Sequence, residues 1–494
     1  MKNVLAGLWL LLILGSCTVS RNYSPGKKFA ASQLQKDYQL FREILEESHP
    51  SLYWFTPKDS IDYYFNWGAA RLTDSMQEYQ FRNILTYVTS KIRCGHTTVR
   101  ASKAAVKFSE RVRSYAFPIG IKTWSDTAIV TSNLNRKDSH VTRGVLLKSI
   151  EGRPVHLILD SLFNHISADG YNLTHKYQSV SNSGAFRSMY VYYFGLRQRM
   201  NIEYIDTTGE VKKGSIQVYN PSADTPRVRV PVSRPSRKER KKMSIQLQRN
   251  LRIDTALNTA FLELNSFSNG YKVRSFLKSS FKKIRKENIQ NLVVDMRGNG
   301  GGNVILSNLL TKYIADKPFK IADSLYAVSN RSHYKQHLSK YFFNRLFFIF
   351  FTRKKDNGTY HFSMYENRYF KPRKKNHFDG TTYIMTGGNT FSAATLFTKA
   401  LKEQENVVVV GEETGGGAYG NTAWLIPEVT LPNTKVRFRL PLFRLVVDKN
   451  ETKGRGVIPE VEAPPTVEAI RQNRDYKTEK VIELIKQKAK ARQP

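Results

Sequence analysis

The chain predicts an α/β protein of several domains (an α+β arrangement over its whole length), and three observations carry that prediction. Its 494 residues, 40% hydrophobic and 24% charged, describe an ordinary globular chain long enough for two or three domains and a substantial core. Apolar residues recur at helical spacing up to about residue 100, and from Phe117 the period shortens to that of strands. From about 254 to 466, β-prone runs alternate with helical ones, the pattern of stacked β-α units with functional turns at strand ends.

The elements follow in order. The start, "MKNVLAGLWLLLILGSC", has one early lysine and an apolar run from Leu5 to Leu14, too short for a spanning helix, and it closes on small residues before Cys17. That ending resembles the lipobox of bacterial lipoproteins, which implies cleavage before Cys17 and acylation of its thiol. The alternative is an ordinary secretory signal with an incidental cysteine. The only other cysteine is Cys94, which would then be a free thiol. Residues 1–16 are thus assigned to a lipoprotein signal peptide and 17–30 to a tether. Ser32 with Gln35 resembles a capping box, after which Leu34, Tyr38, Phe41 and Leu45 mark a helix that ends at His49-Pro50. A second amphipathic run, "EYQFRNILTYVTSKIR", leads into "CGHTTVR", so residues 31–104 read as a helical domain.

Residues 105–250 read as β-rich. "FPIGIKT", "TAIVTSN", "RGVLLKSI" and one helix, "PVHLILDSLF", succeed one another in a way that loosely resembles a PDZ-like module, whose groove takes peptide ends by strand addition. The core, 251–470, holds the strands "TAFLELNSF", "NLVVDMRG", "TTYIMTGG" and "VVVVGEET", with helices between them. An insert, 333–378, carries "YFFNRLFFIFFTRKK", which reads equally as a packed core element or as a basic-flanked helix in a membrane interface. Residues 471–494 read as a basic C-terminal helix. The net charge of +37 is spread in runs such as "KKIRK" and "KPRKK" with no nucleic-acid motif beside them. It is consistent with a solvated surface or with an anionic envelope surface; no specific nucleic acid is expected.

Chemistry enters at "GGNTFSAATLF", where a strand turns sharply into a helix at Ser392. A serine there has two readings, a helix cap or a nucleophile beside unpaired N–H groups. Two further glycine-rich strand ends bear on the choice: "VVDMRGNGGGN" at 293–303 and "VVVVGEETGGGAYGN" at 407–421. The first lacks the Lys-Ser/Thr ending of a phosphate-binding P-loop. Together the three stretches resemble the tail-specific (C-terminal processing) serine protease family. Its DxRxNxGG turn matches Asp295, Arg297, Asn299 and Gly301, its nucleophile turn matches Thr390 to Ala393, and its GExT strand end matches Gly411 to Thr414. The resemblance implies a crotonase-like stack of β-β-α units, Ser392 as nucleophile, and an oxyanion hole from the N–H groups of Ala393 and Gly301. No cofactor and no metal are implied.

One branch of that family draws its base from a lysine two dozen positions after the serine; here 392 + 25 = 417, and Gly417 stands there. The other, tricorn-like branch uses a histidine of the helical entry region, which implies His96 in "CGHT" as the base. Relatives in that branch have a serine beside this histidine, whereas this chain has Gly95, with Thr97 the nearest hydroxyl. They also have a glutamate some sixty residues past the nucleophile; 451 − 392 = 59 points to Glu451, before the family-like "GVIPE". The expected protein is an envelope serine endopeptidase, lipid-anchored through Cys17 to the outer membrane, which cleaves unstructured or C-terminal segments of a peptide or protein substrate. Two rival expectations are a peptide binder of the same fold that has lost its chemistry, and a polyanion binder.

Overall fold

The computed structural model describes residues 23–138, 140–223 and 235–491. The apolar run Leu5 to Leu14, Cys17 and most of the tether lie outside them. Helix α1, Ala31–Ser48, buries Leu34, Tyr38, Phe41 and Leu45 as their spacing requires, and His49 ends it in an extended conformation. The expected capping box at Ser32 and Gln35 is displaced: Ala30 is the N-cap, and Gln33 Oε1 accepts from its N–H at 3.2 Å. Ser32 therefore sits inside the first turn. Helices α2 (Lys58–Ala69) and α3 (Glu78–Lys91) complete this region. The region does not fold over a core of its own. Phe41, Phe65 and Phe81 share one hydrophobic cluster with Val429, Phe438 and Phe443 from the C-terminal half, and Val99–Arg100 pairs with Arg437–Phe438 as strands. That pairing fixes the loop bearing His96 against the other end of the chain.

A second sheet, with strands at Ile119–Trp124, Thr127–Asn133, Leu146–Ile150, Arg199–Ile205 and Val211–Gln217, has a separate core. Beyond residue 171 the β-rich reading holds for the strands Arg199–Ile205 and Val211–Gln217, while helices occupy Leu173–Ser181 (α4), Ala185–Phe194 and Arg237–Gln248. Asn172 starts α4 by accepting the His175 N–H at 2.8 Å, a cap within otherwise ambiguous polar sequence.

The main sheet runs β1 (Arg249–Asp254), β2 (Thr259–Leu264), β3 (Asn291–Asp295), β4 (Thr381–Thr386), β5 (Val407–Gly411) and β6 (Val461–Glu462), adjacent in that order. Only β1–β2 is antiparallel; the other pairs are parallel, with α5 (Val273–Lys286), α6 (Val304–Ile314) and α7 (Ala393–Lys402) covering the sheet. Parallel register sets Asp295 opposite Met385 and Thr386 opposite Gly411. The glycine turn, the serine turn and the 412–417 turn therefore leave adjacent strands at the same edge, where open α/β sheets place their ligands.

The insert is packed on one face and exposed on the other. In α8, Tyr341–Phe351, Phe347 and Phe348 pack on Phe443, while Phe342, Phe343 and Phe350 are 67%, 70% and 73% exposed. Among the described residues no helix is long and apolar enough to cross a membrane. The basic C-terminal helix is present as α9, Tyr476–Lys490. Arg297 of the glycine turn donates to Asp475 at its N-cap, at 2.6 and 2.9 Å, and to Asp295 at 2.6 Å. Half-buried between two carboxylates, this guanidinium is held well above its ordinary pKa, and Asp475 is drawn down to about 2.

Candidate active site

Why glycines, an asparagine and a threonine precede Ser392 is answered by hydrogen bonds. Thr390 Oγ1 donates to the Met296 carbonyl at 2.8 Å and accepts from the Gly387 N–H at 3.1 Å, while Phe391 N–H donates to the Asn299 carbonyl at 3.0 Å. The serine turn is thus bolted to the glycine turn. It delivers Ser392 at φ 54°, ψ −122°, an unfavourable conformation for a residue with a side chain, at a strain of about 1–3 kcal/mol. Ser392 occupies the N-cap position but its hydroxyl caps nothing. Of the two readings of this serine, the cap is removed by the structure.

The two oxyanion candidates fare differently. Ala393 begins α7, and its N–H has no acceptor among the described residues. Gly301 does adjoin the serine: at φ 96°, a Cβ on it would lie 2.7 Å from Ser392 Cβ and 3.0 Å from Ala393 N. Its own N–H, however, donates to Asn299 Oδ1 at 2.9 Å, so in this state it is not free to act as the donor. Gly301 contributes the absence of a side chain. The turn's free N–H groups among the described residues belong to Gly298, Gly300 and Gly302. Gly302 and Ser392 both line a cavity of about 590 Å³.

His96 lines the same cavity, as do His175, Gly298, Gly300, Gly301, Phe391 and Arg439. Chain separation of nearly 300 residues has been closed by the fold. The ring is buried, lies 4.9 Å from the Phe391 ring, and neither of its nitrogens has a hydrogen-bond partner among the described residues. Burial, with help from the Arg439 and His175 charges, pushes it down to about 3, so the imidazole is neutral at physiological pH.

Glu451 does not orient that ring. It lies 3.1 Å from Lys399 Nζ, which also meets Asp448 at 3.0 Å and Glu403. Lys399, two turns along α7 from Ser392, is buried and needs those carboxylates, which hold its ammonium above the ordinary lysine pKa. The carboxylate beside His96 is instead Asp169, whose Oδ1 is 3.9 Å from His96 Nδ1. Asp169 is buried, accepts from the Gly95 N–H at 2.8 Å and the Gly417 N–H at 3.3 Å, and is pushed up to about 7 by desolvation. Nothing in the turn-like "ADGYN" distinguished it from a loop carboxylate.

Gly95, which stands where a serine was looked for, has no room for one. A Cβ there would meet the Phe391 ring at 2.5 Å and Asp169 Oδ1 at 3.1 Å. Thr97 is likewise unavailable, because its Oγ1 is bonded to His49 Nε2 at 2.7 Å. Cys94 is a buried free thiol, pushed up to about 11 by desolvation.

A strained serine, glycine amides and a neutral imidazole around one cavity are the parts that acyl transfer requires, and they sit on an α/β sheet with its turns at one edge. Residues 258–463 match the model of Peptidase family S41. The chain therefore carries an S41 peptidase domain and is a serine-type peptidase. Mature CPAF complexed with lactacystin is similar in fold, with 14% identity, TM-score 0.63, and coverage of 92% of this chain and 98% of that one. A mutant of CPAF aligns with TM-score 0.64 at 14% identity, over 92% and 97% of the two chains. A comparison with the sequences of curated proteins finds no match.

Proposed function

We propose that this chain is a serine endopeptidase in which Ser392 Oγ attacks the substrate carbonyl while His96 takes its proton. His96 then returns that proton to the leaving amine, and water repeats the sequence on the acyl-enzyme. The developing oxyanion is received by the N–H groups of Ala393 and Gly302; one such donor contributes about a hundred- to a thousandfold in rate. Asp169 acts through His96, holding Nδ1–H once the 3.9 Å gap shortens on substrate binding. The observation that carries this reading is the shared cavity of Ser392 and His96. The test is covalent capture: a fluorophosphonate should modify the peptide bearing Ser392, and the purified chain should cut an unfolded protein. An unmodified Ser392 with the substrate left intact would favour the peptide-binder reading.

Asp169 supplies a second check. An ionised carboxylate holds Nδ1–H more strongly than a carboxylic acid and offsets the charge of the imidazolium that forms on His96, so activity should rise with pH through about 7, the value to which burial raises Asp169. Asp169→Asn should lower kcat by about 10²- to 10³-fold and remove that limb, whereas Glu451→Gln should stay within about threefold. A larger loss at Glu451 than at Asp169 would reverse the assignment.

The location proposed is the bacterial envelope, with a lipid on Cys17. The sequence pattern supports it, and so does the exposed aromatic face of α8 with exposed Arg353 and Lys354 beyond it, which suits a lipid interface. Fractionated cells should hold the protein in the membrane fraction and release Cys17→Ala; equal retention of the variant would remove the anchor. A PDZ-like role for the second sheet is supported by a cavity of about 380 Å³ beside its edge strand, Ile119–Trp124, and the end of α4.

A further inference from the structure

The cavity around Ser392 contains a charge that acyl transfer leaves unused. Arg439 ends the strand Arg437–Arg439, which pairs with Val99–Arg100, and its N–H donates to the Thr98 carbonyl at 2.9 Å. The backbone therefore holds Arg439 against Thr98, two residues along the chain from His96. Its guanidinium has no ion pair and no hydrogen bond among the described residues. The neighbouring cations are all served: Arg437 takes Glu428 at 2.8 Å, and Arg100 lies 3.6 Å from the same carboxylate. Among the described residues no Asp or Glu lines the cavity. Burial and Arg100 both work against the charge on Arg439, and nothing nearby offsets them fully.

A desolvated guanidinium facing an open cavity is a site for an anion, and its planar fork suits a carboxylate best. The substrates of a peptidase are peptides, whose anionic groups are carboxylates. We propose that Arg439 binds a substrate carboxylate close to the scissile bond and so selects peptides that carry one there. The proposal rests on Ser392 and His96 being the reacting pair. Arg439 lies on the His96 side of the cavity, where the leaving amine receives its proton, so the recognised carboxylate belongs to the leaving segment. Two sources share this chemistry, the free C-terminus of a short leaving segment and an Asp or Glu side chain within it. Either one would also neutralise a charge that opposes formation of the imidazolium on His96.

The test compares kcat/KM on matched peptides: one pair ending in a free carboxylate or an amide, the other carrying Glu or Gln just past the cleavage point. Wild type should prefer the acid by about tenfold to a hundredfold in at least one pair, and the pair that responds identifies the source. Arg439→Gln should bring that ratio to about one, with Arg439→Lys keeping part of it. Fluorophosphonate labelling of Ser392 in each variant shows that the fold and nucleophile persist. A wild-type ratio near one in labelled, active enzyme overturns the carboxylate site, as does an unchanged ratio in Arg439→Gln. Wild type that neither labels nor cleaves overturns the acyl-transfer reading instead, and the carboxylate site with it.

Discussion

Ser392→Ala should lower kcat by about five to six orders of magnitude with little change in stability. The substitution deletes the acyl acceptor, and what remains is the background of a pocket that positions a peptide and polarises its carbonyl. Stability should move by no more than about 0.5 kcal/mol, because the hydroxyl caps nothing in α7 and its removal orphans no buried partner. Both residues carry a Cβ, so the strain at φ 54° is common to them and cancels. The pair of measurements is peptide cleavage and thermal unfolding on the same preparation. A variant that keeps more than about one per cent of the rate would show that another group accepts the acyl, and a collapsed melting transition would show a structural serine. Ser392→Gly should differ in one respect only: with no Cβ the strain is relieved, so the protein should be slightly more stable and equally inactive.

What could be seen in the sequence was whatever is local. The three strand-end turns are each contiguous, and a glycine run after a β-prone stretch marks the place where backbone approaches a ligand, so the position of Ser392, Gly301 and Ala393 at these turns was legible. The role of Gly301 was not, because the direction of one N–H depends on the side chain of Asn299. His96 was found through its context alone, and its partner escaped altogether. Asp169 reaches Gly95 across 74 positions and Gly417 across 248, distances over which no periodicity survives. Glu451 was placed by its spacing from Ser392, and spacing carries no information on where a side chain points; the buried ammonium of Lys399 decided that. The same reasoning explains Gly95. Its apparent loss of a serine was a packing requirement imposed by Phe391, which lies almost 300 residues further on.

His96→Ala should cost about as much as Ser392→Ala, roughly four to six orders of magnitude in kcat, because a serine hydroxyl without a base is a poor nucleophile. The cavity offers a rival, and the two histidines can be told apart. His175 lies 4.9 Å from the Phe391 ring, as does His96. Its Nδ1–H donates to the Gly388 carbonyl at 2.8 Å, and Nε2 is 3.5 Å from Ser179 Oγ, so both ring nitrogens are occupied. On His96 both are unpaired, which in a buried ring is costly unless a ligand completes the bonding. The sign of the protonation argument agrees. With its pKa pushed down to about 3, His96 is neutral across the physiological range, so it needs no prior deprotonation to act as a base, and acidification toward pH 5 should not inactivate it through its own titration. Any acid limb near 7 then belongs to Asp169. His175→Ala should retain most of the rate, losing no more than about tenfold through looser packing on Phe391. If the order is reversed, with His175→Ala inert and His96→Ala active, the proton goes to the imidazole fixed on Gly388, and the cavity must be read from its other side.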